Sequence, residues 1–427
     1  MKKIIIIILS LFLIFLCYSK ENRKFPQLKF IVLSDIHYYD KSLGIEGTAF
    51  EEYLAGDRKT LIESEEITDK VIENILSSDA SFVIICGDMT KDGEKINHQK
   101  LSEKLKLITD SGKKVFVING NHDILNGHSF KYNGDNKERV ENVNREDFIK
   151  IYNEFGYSSA IEVDPISLSY VTEPVAGVWL LAIDSSMWYK NKLDKEPITD
   201  GELRAETLKW IENILIKAKS QNKTLIGMMH HGLLEHYKSN NKYYGQYILN
   251  NNEKIAKIFT KYGLNFIFTG HFHAQDITLK KINKDDTIFD IETGSLVSYP
   301  NPYRIVSITK NNKMKIESKF ISSIKNYPDF SSYSKDFIRN GTIKTVNKKL
   351  KRLGLTDNEI DIVSFQIADA YISHLVGDEI SPKKLIDTNG VGLWGRILLN
   401  FQKDLVEGWY NDLPPHDNFI TIDLNSY

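Results

Sequence analysis

"VFVINGNHDIL", Val115–Leu125, is the stretch from which the rest of the chain can be read. A run of Val, Phe and Ile ends at Ile118, and Asn119, Gly120, Asn121, His122 and Asp123 follow before the chain turns apolar again. The apolar part has the pattern of a strand covered on both faces. Its end supplies an amide oxygen, an imidazole and a carboxylate, none of which helps to build a core. Four other strand-like runs end the same way: "LSDIH" (Leu33–His37), "CGDMT" (Cys86–Thr90), "MMHH" (Met228–His231) and "TGHFH" (Thr269–His273).

The strand runs "LKFIVLSD", "SFVIICGD", "KVFVINGN", "VWLLAIDS", "TLIGMMHH" and "NFIFTGH" are continuous rather than alternating. Between them, "RKTLIESEEITDKVIENILSS", "GEKINHQKLSEKLKLITDSG" and "GELRAETLKWIENILIKAKSQ" carry apolar residues at helical spacing. Alternation of this kind predicts an α/β layered fold. "DTIFDIETGSL", "PYRIVSITK" and "KMKIESKFI" add strands, expected as antiparallel pairs in a second sheet. The expected architecture is therefore two mixed β-sheets packed as a sandwich and flanked by helices, over residues 27–322. Within it lies a polar insertion, 126–174, with a mobile first half and a helical second half. After Ser323 the pattern is helical without strands, which predicts a small all-helical C-terminal domain, 323–427, ending in an extended "DNFITIDL".

Composition removes some functions. The 427 residues carry a formal net charge of −2, which gives no global attraction to nucleic acid or anionic membrane. "KKLKRLG", Lys348–Gly354, reads as a solvated helix face rather than a nucleic-acid patch, since no aromatic platform accompanies it. The N-terminus, "MKKIIIIILSLFLIFLCYSK", has two lysines, an apolar run from Ile4 to Leu16 and then polar residues. That is the layout of a secretory signal peptide over residues 1–20, and it predicts export to the cell envelope or extracellular face. Cys17 closes a lipobox-like end, although Leu16 departs from the small residue usual there. Lipidation of Cys17 would anchor the exported chain, and an uncleaved N-terminal anchor is the alternative; either would associate the chain with a membrane. Without Cys17 only Cys86 remains, so no internal disulfide is expected.

If the polar tips belong to strands running the same way, they converge on one crevice outside the carboxyl ends of a sheet. Asp35, His37, Asp88, Asn121, His230, His271 and His273 would then meet. This set of oxygen and nitrogen donors without thiolate suits borderline divalent ions such as Mn, Fe, Zn, Ni or Co. Seven ligands are too many for one catalytic ion. With one carboxylate bridging, they would make four bonds to each of two ions. The Asp-x-His and His-x-His pairs are expected to project to one side of an extended chain. Gly87, Gly120 and Gly270 would allow a sharp turn or a close approach just before a ligand.

The order DxH, GD, GNHD, H and GHxH, from Leu28 to Phe320, resembles the calcineurin-like metallophosphoesterase superfamily. "SLSYVTEP", "MMHHGLLEH", "FTGHFHAQDI", "DIETGSL" and "NPYR", with the helical tail, are similar to exported bacterial members reported as cyclic-nucleotide phosphodiesterases. The resemblance implies one metal on Asp35, His37, Asp88 and His273, and another on Asp88, Asn121, His230 and His271. Of the adjacent histidines, His230 is the one that follows its strand at once. His122 matches the family's outer-sphere histidine and Asp123 the carboxylate that orients it. Two such ions would share a water, activate it for attack on phosphorus and clamp a phosphoryl oxygen. Purple acid phosphatases carry Tyr where this chain has Lys91 and lack His37, so that branch is not expected. His231, His236, Arg304 and the insertion are the candidate substrate contacts. "NKYYGQY", Asn241–Tyr247, would stack a base or pack a loop, and His98 and His128 are expected to be solvated. The implied activity is an exported dinuclear-metal phosphodiesterase on a small phosphodiester or nucleotide. A phosphomonoesterase or nucleotidase on the same centre, and a catalytically silent scaffold, compete with it.

Overall fold

A computed structural model of the chain describes residues 25–284 and 286–426. The expected signal peptide, residues 1–20, with Cys17, lies outside the described residues. In the first sheet, β1 (Leu28–Leu33), β2 (Phe82–Cys86) and β3 (Lys114–Ile118) run parallel. The second contains β8 (Val178–Ile183), β9 (Thr224–Met229), β10 (Phe266–Thr269) and β12 (Thr287–Glu292), also parallel. Every residue of β2, β8, β9 and β10 is buried, as continuous apolar runs require.

The remaining strands complete the sheets. A hairpin links β4 (Phe130–Asn133) to β5 (Asn136–Arg139), and β6 (Ala160–Val163) and β7 (Tyr170–Val175) extend the second sheet at one edge. At the other edge lies β11 (Asp276–Lys281). Strands β13 (Pro302–Ile308), β14 (Lys313–Phe320) and β15 (Phe419–Asp423) finish the first sheet. The orders are β15-β14-β13-β1-β2-β3 and β11-β12-β10-β9-β8-β7-β6. The sheets face one another: the Phe30 ring of β1 stacks on Phe82 at 4.8 Å and meets Phe268 of β10 edge-on at 5.4 Å. Helices cover the outer faces. Ser64–Ser77 buries Ile67, Val71, Ile72 and Ile75, and Ala205–Ser220 buries Trp210, Ile211, Ile214 and Leu215, both at helical spacing.

This is the α/β sandwich expected, with three corrections. First, β13 and β14 are antiparallel but belong to the first sheet, whereas β12 lies parallel to β10 in the second. Strand β14 buries alternate residues only, so its sequence did not tell which sheet it joins. Second, the first half of the insertion holds the β4–β5 hairpin, turned at Gly134 with φ 59°; the helix Arg145–Ile151 follows as expected, and the end of the insertion supplies β6 and β7. Third, the extended end expected at "DNFITIDL" does not stay with the C-terminal helices but joins the first sheet. The helices Phe330–Arg352, Asp357–Val376, Leu393–Phe401 and Lys403–Gly408 are present, but the chain then returns as β15 and pairs Ile422 with Met314 of β14. Among the described residues no helix is long and apolar enough to cross a membrane.

Candidate metal centre

The carboxyl ends of β1, β2, β3, β9 and β10 deliver the seven side chains named above. Asp35 Oδ1 lies 3.2 Å from His273 Nε2, which lies 3.2 Å from His37 Nε2. Asp88 Oδ2 is 3.7 Å from His37 Nε2 on one side and 3.3 Å from His230 Nε2 on the other. His230 Nε2 is in turn 3.0 Å from Asn121 Oδ1, and His271 groups with Asp88 and His230. Two clusters thus share Asp88, one with Asp35, His37 and His273, the other with Asn121, His230 and His271.

The local backbone explains the convergence, and here the expectation of an extended chain fails. Asp35, His37, Asp88, His271 and His273 all have positive φ, between 42° and 77°. Each such residue costs of order 1–3 kcal/mol unless its surroundings hold it. They do: Asp35 N donates to Gly87 O at 3.1 Å, His37 N to Asp88 O at 2.9 Å, and His271 N to Asp35 Oδ2 at 2.9 Å. Gly120 and Gly270 serve close approach, since a Cβ would run into the Asp88 carboxylate at the first and Ser34 Oγ at the second.

Protein contacts do not satisfy the clusters. Asp35 Oδ1 and His271 Nε2 are buried without a hydrogen-bond partner. Burial opposes the charge on Asp35 and Asp88, yet the neighbouring imidazoles outweigh it and hold both carboxyls well below the ordinary range. Burial also lowers His230, but Asp88 more than compensates and raises it to about 9. Burial and the Lys59 charge bring His37 down to about 4. Orphaned donors around paired carboxylates fit two divalent ions, whose binding would release the proton held at His230.

His122 stands beside the centre, with its N–H donating to Asp88 Oδ1 at 2.9 Å and its Nε2 3.9 Å from Asp88 Oδ2. Burial lowers its basicity, but Asp88 and Asp92 outweigh this and the net shift is upward. Its orienting carboxylate is Asp92, whose Oδ1 lies 2.8 Å from His122 Nδ1, and not Asp123. Asp123 turns inward, accepting from the N–H groups of Met89, Thr90 and Gly120, so it ties the β2 and β3 tips together.

The substrate candidates fare differently. His231 is buried with both ring nitrogens engaged, Nδ1 2.8 Å from Ser185 Oγ and Nε2 2.9 Å from Thr199 O. It backs the centre and is not exposed to a ligand. His236 is also buried, 2.7 Å from Asp276 Oδ1, 3.3 Å from Asp290 Oδ2 and 3.2 Å from Glu292 Oε2. Arg304 is fully buried and donates to the main-chain oxygens of Glu292, Asp276 and Asp417 and to Ser318 Oγ. Both are structural, because each polar atom of Arg304 and each face of His236 is turned into the protein. His98, expected in solvent, is buried between Tyr152 and the Asp123 carbonyl.

Beside the centre is a cavity of about 410 Å³. Asp88, Asn121, His122, His271 and His273 line one side, and Arg58, Lys59, Tyr247, Phe272, Ile338 and Tyr371 line another. Ile338 and Tyr371 come from the C-terminal helices, which therefore complete the wall. Arg58, Lys59, Asp92 and Tyr371 escaped the sequence reading. "GDRKT" sits between two helices without a motif, and Asp92 follows Asp88 by four residues without a strand end to mark it. Tyr247, in the "NKYYGQY" stretch, lies 4.4 Å from the His271 ring, so this aromatic belongs to the site as well as to the loop.

The chain belongs to the calcineurin-like phosphoesterase family, whose sequence model matches residues 28–275. Family and donor set together make it a metal-dependent phosphoester hydrolase. Among solved structures, it resembles a dimetal phosphatase from Danio rerio, with 12% identity, a TM-score of 0.49, and coverage of 69% of this chain and 97% of that one. It also resembles a purple acid phosphatase from yellow lupin seeds, with 12% identity, a TM-score of 0.42, and coverage of 70% and 52% respectively. No curated protein sequence matches significantly.

Proposed function

We propose that this chain is an exported phosphodiesterase acting on small nucleotide-type diesters, cyclic nucleotides among them, through two borderline divalent ions such as Mn, Fe, Zn or Ni. Asp35, His37, Asp88 and His273 hold one ion, and Asp88, Asn121, His230 and His271 the other. Bound there, the ions supply a water of lowered pKa and a clamp for a phosphoryl oxygen. His122 gives its Nε2 proton to the leaving oxygen, and Asp92 holds the opposite nitrogen in place.

The charge of the cavity wall carries the choice of a diester. Lys59 Nζ is paired with Asp57 Oδ2 at 3.2 Å, whereas Arg58 forms no ion pair among the described residues and lies 4.7 Å over the Tyr371 ring. Beyond the ions, the wall thus offers one unpaired cation to the single charged phosphoryl group of a phosphodiester. Tyr247 and Phe272 add aromatic surface on which a base stacks. The volume falls within the range of small-ligand sites. Export rests on the N-terminal sequence, with its two lysines, apolar run and Cys17.

Turnover of bis- and mono-p-nitrophenyl phosphate by Mn-reconstituted protein tests this. The diester should be the better substrate by kcat/KM. A preference for the monoester would instead make the chain a phosphomonoesterase.

A further inference from the structure

Away from the catalytic centre, the loop after helix Asp357–Val376 meets the stretch that precedes β15. Carboxylate oxygens of Glu379, Asp412 and Asp417 all lie within 4.8 Å of one another. That span is twice a Ca–O bond of roughly 2.4 Å, the greatest separation two ligands of one such ion can have. Asp412 also belongs to a neighbouring group with Asp378 and His416.

Two observations make this more than an acidic patch. The Glu379 side chain is 2% exposed; its Oε1 lies 3.0 Å from His374 Nδ1, while its Oε2 is buried without a hydrogen-bond partner. Asp417 is fully buried, and its two oxygens accept main-chain N–H groups from Ile277 and Asp378, each at 2.7 Å. No lysine or arginine forms an ion pair with Asp378, Glu379, Asp412 or Asp417 among the described residues. Arg304 reaches Asp417 only at its main-chain oxygen. Carboxylates at this spacing repel one another unless a cation lies between them or a proton neutralises one of them.

We propose that Glu379, Asp412 and Asp417 form a site for a hard divalent cation of the calcium class, separate from the catalytic pair. The donors are all oxygen, the choice of calcium rather than of the borderline ions suited to the imidazole-rich centre. The remaining coordination positions fall to water and main-chain oxygens. Such an ion fastens the C-terminal helices to β11, where Gln275 N donates to Leu375 O at 3.1 Å and Ile277 N to Asp417. Helix Asp357–Val376 carries Tyr371 of the substrate wall, so the ion stabilises that wall from behind.

The test is calorimetric titration of the Mn-loaded full chain with calcium chloride, paired with thermal unfolding. Wild type should bind about one Ca²⁺ per chain and unfold at a higher temperature with it. Glu379→Gln and Asp412→Asn should each weaken binding at least about tenfold and lose the shift. No calcium binding by wild type, or undiminished binding in either variant, overturns the proposal; the second result would place the calcium elsewhere, such as the catalytic centre. Should Glu379→Gln fail to fold, the partly exposed Asp412→Asn decides alone.

Discussion

Asp92 Oδ1 lies 2.8 Å from His122 Nδ1, and the other Asp92 oxygen lies 2.6 Å from the buried ammonium of Lys91. Lys91 is held in turn by Glu94 Oε1 at 3.1 Å and by the face of Tyr53 at 4.2 Å. This relay fixes the imidazole with Nε2 toward Asp88. His122→Ala should lower kcat by about 10²–10⁴-fold with metal content unchanged. Asp92→Asn should cost roughly 10–100-fold, the usual scale for a residue that orients a catalytic group. Elemental analysis beside steady-state kinetics checks both. Loss of metal in His122→Ala would make that residue a ligand and reject its role as proton donor.

The strand tips were legible because fully buried strands need unbroken apolar runs, so an Asp or His after Leu33, Cys86 or Met229 stands out. What the sequence concealed is contact between segments far apart in the chain. Asp123 follows His122 directly, yet the turn sends it inward to the N–H groups of Met89 and Thr90. Arg304, in "NPYR", reads as a candidate substrate contact, and nothing local in the sequence marks it as buried. Here β13 lies between β1 and β14, which buries it. The left-handed backbone at five non-glycine positions has no sequence signal, since tertiary hydrogen bonds impose it.

Arg58 is the unpaired cation of the substrate wall. A hydrogen bond to a charged group contributes about 1.5–3 kcal/mol, so Arg58→Ala should lower kcat/KM for a diester by roughly 10–150-fold. The loss should appear mainly in KM, because the residue binds ground state and transition state alike. An unchanged KM would remove Arg58 from the site.

His236 is a buried imidazole among Asp276, Asp290 and Glu292. Burial lowers its basicity, but the three carboxylates outweigh this and hold its pKa well above the ordinary value. Its contribution to stability is therefore complete below the unfolded value of about 6.5 and is lost as pH rises through the raised folded value. His236→Ala should cost roughly 3–5 kcal/mol near pH 6, because the carboxylates lose their cation. The difference from wild type should shrink in alkaline solution. Denaturant unfolding at several pH values reads this, and a penalty that grew with pH would contradict the assignment.

Metal content per chain bears most directly on the central claim, that the five strand tips hold a pair of ions. Purified protein reconstituted with Mn, Zn or Fe and freed of excess should retain about two transition ions per chain by elemental analysis. Chelation should remove them together with turnover, and Asp88→Ala, which takes away the shared ligand, should retain fewer and be inactive. Folded protein that kept no transition ion, or kept its full turnover after the ions were removed, would contradict the account.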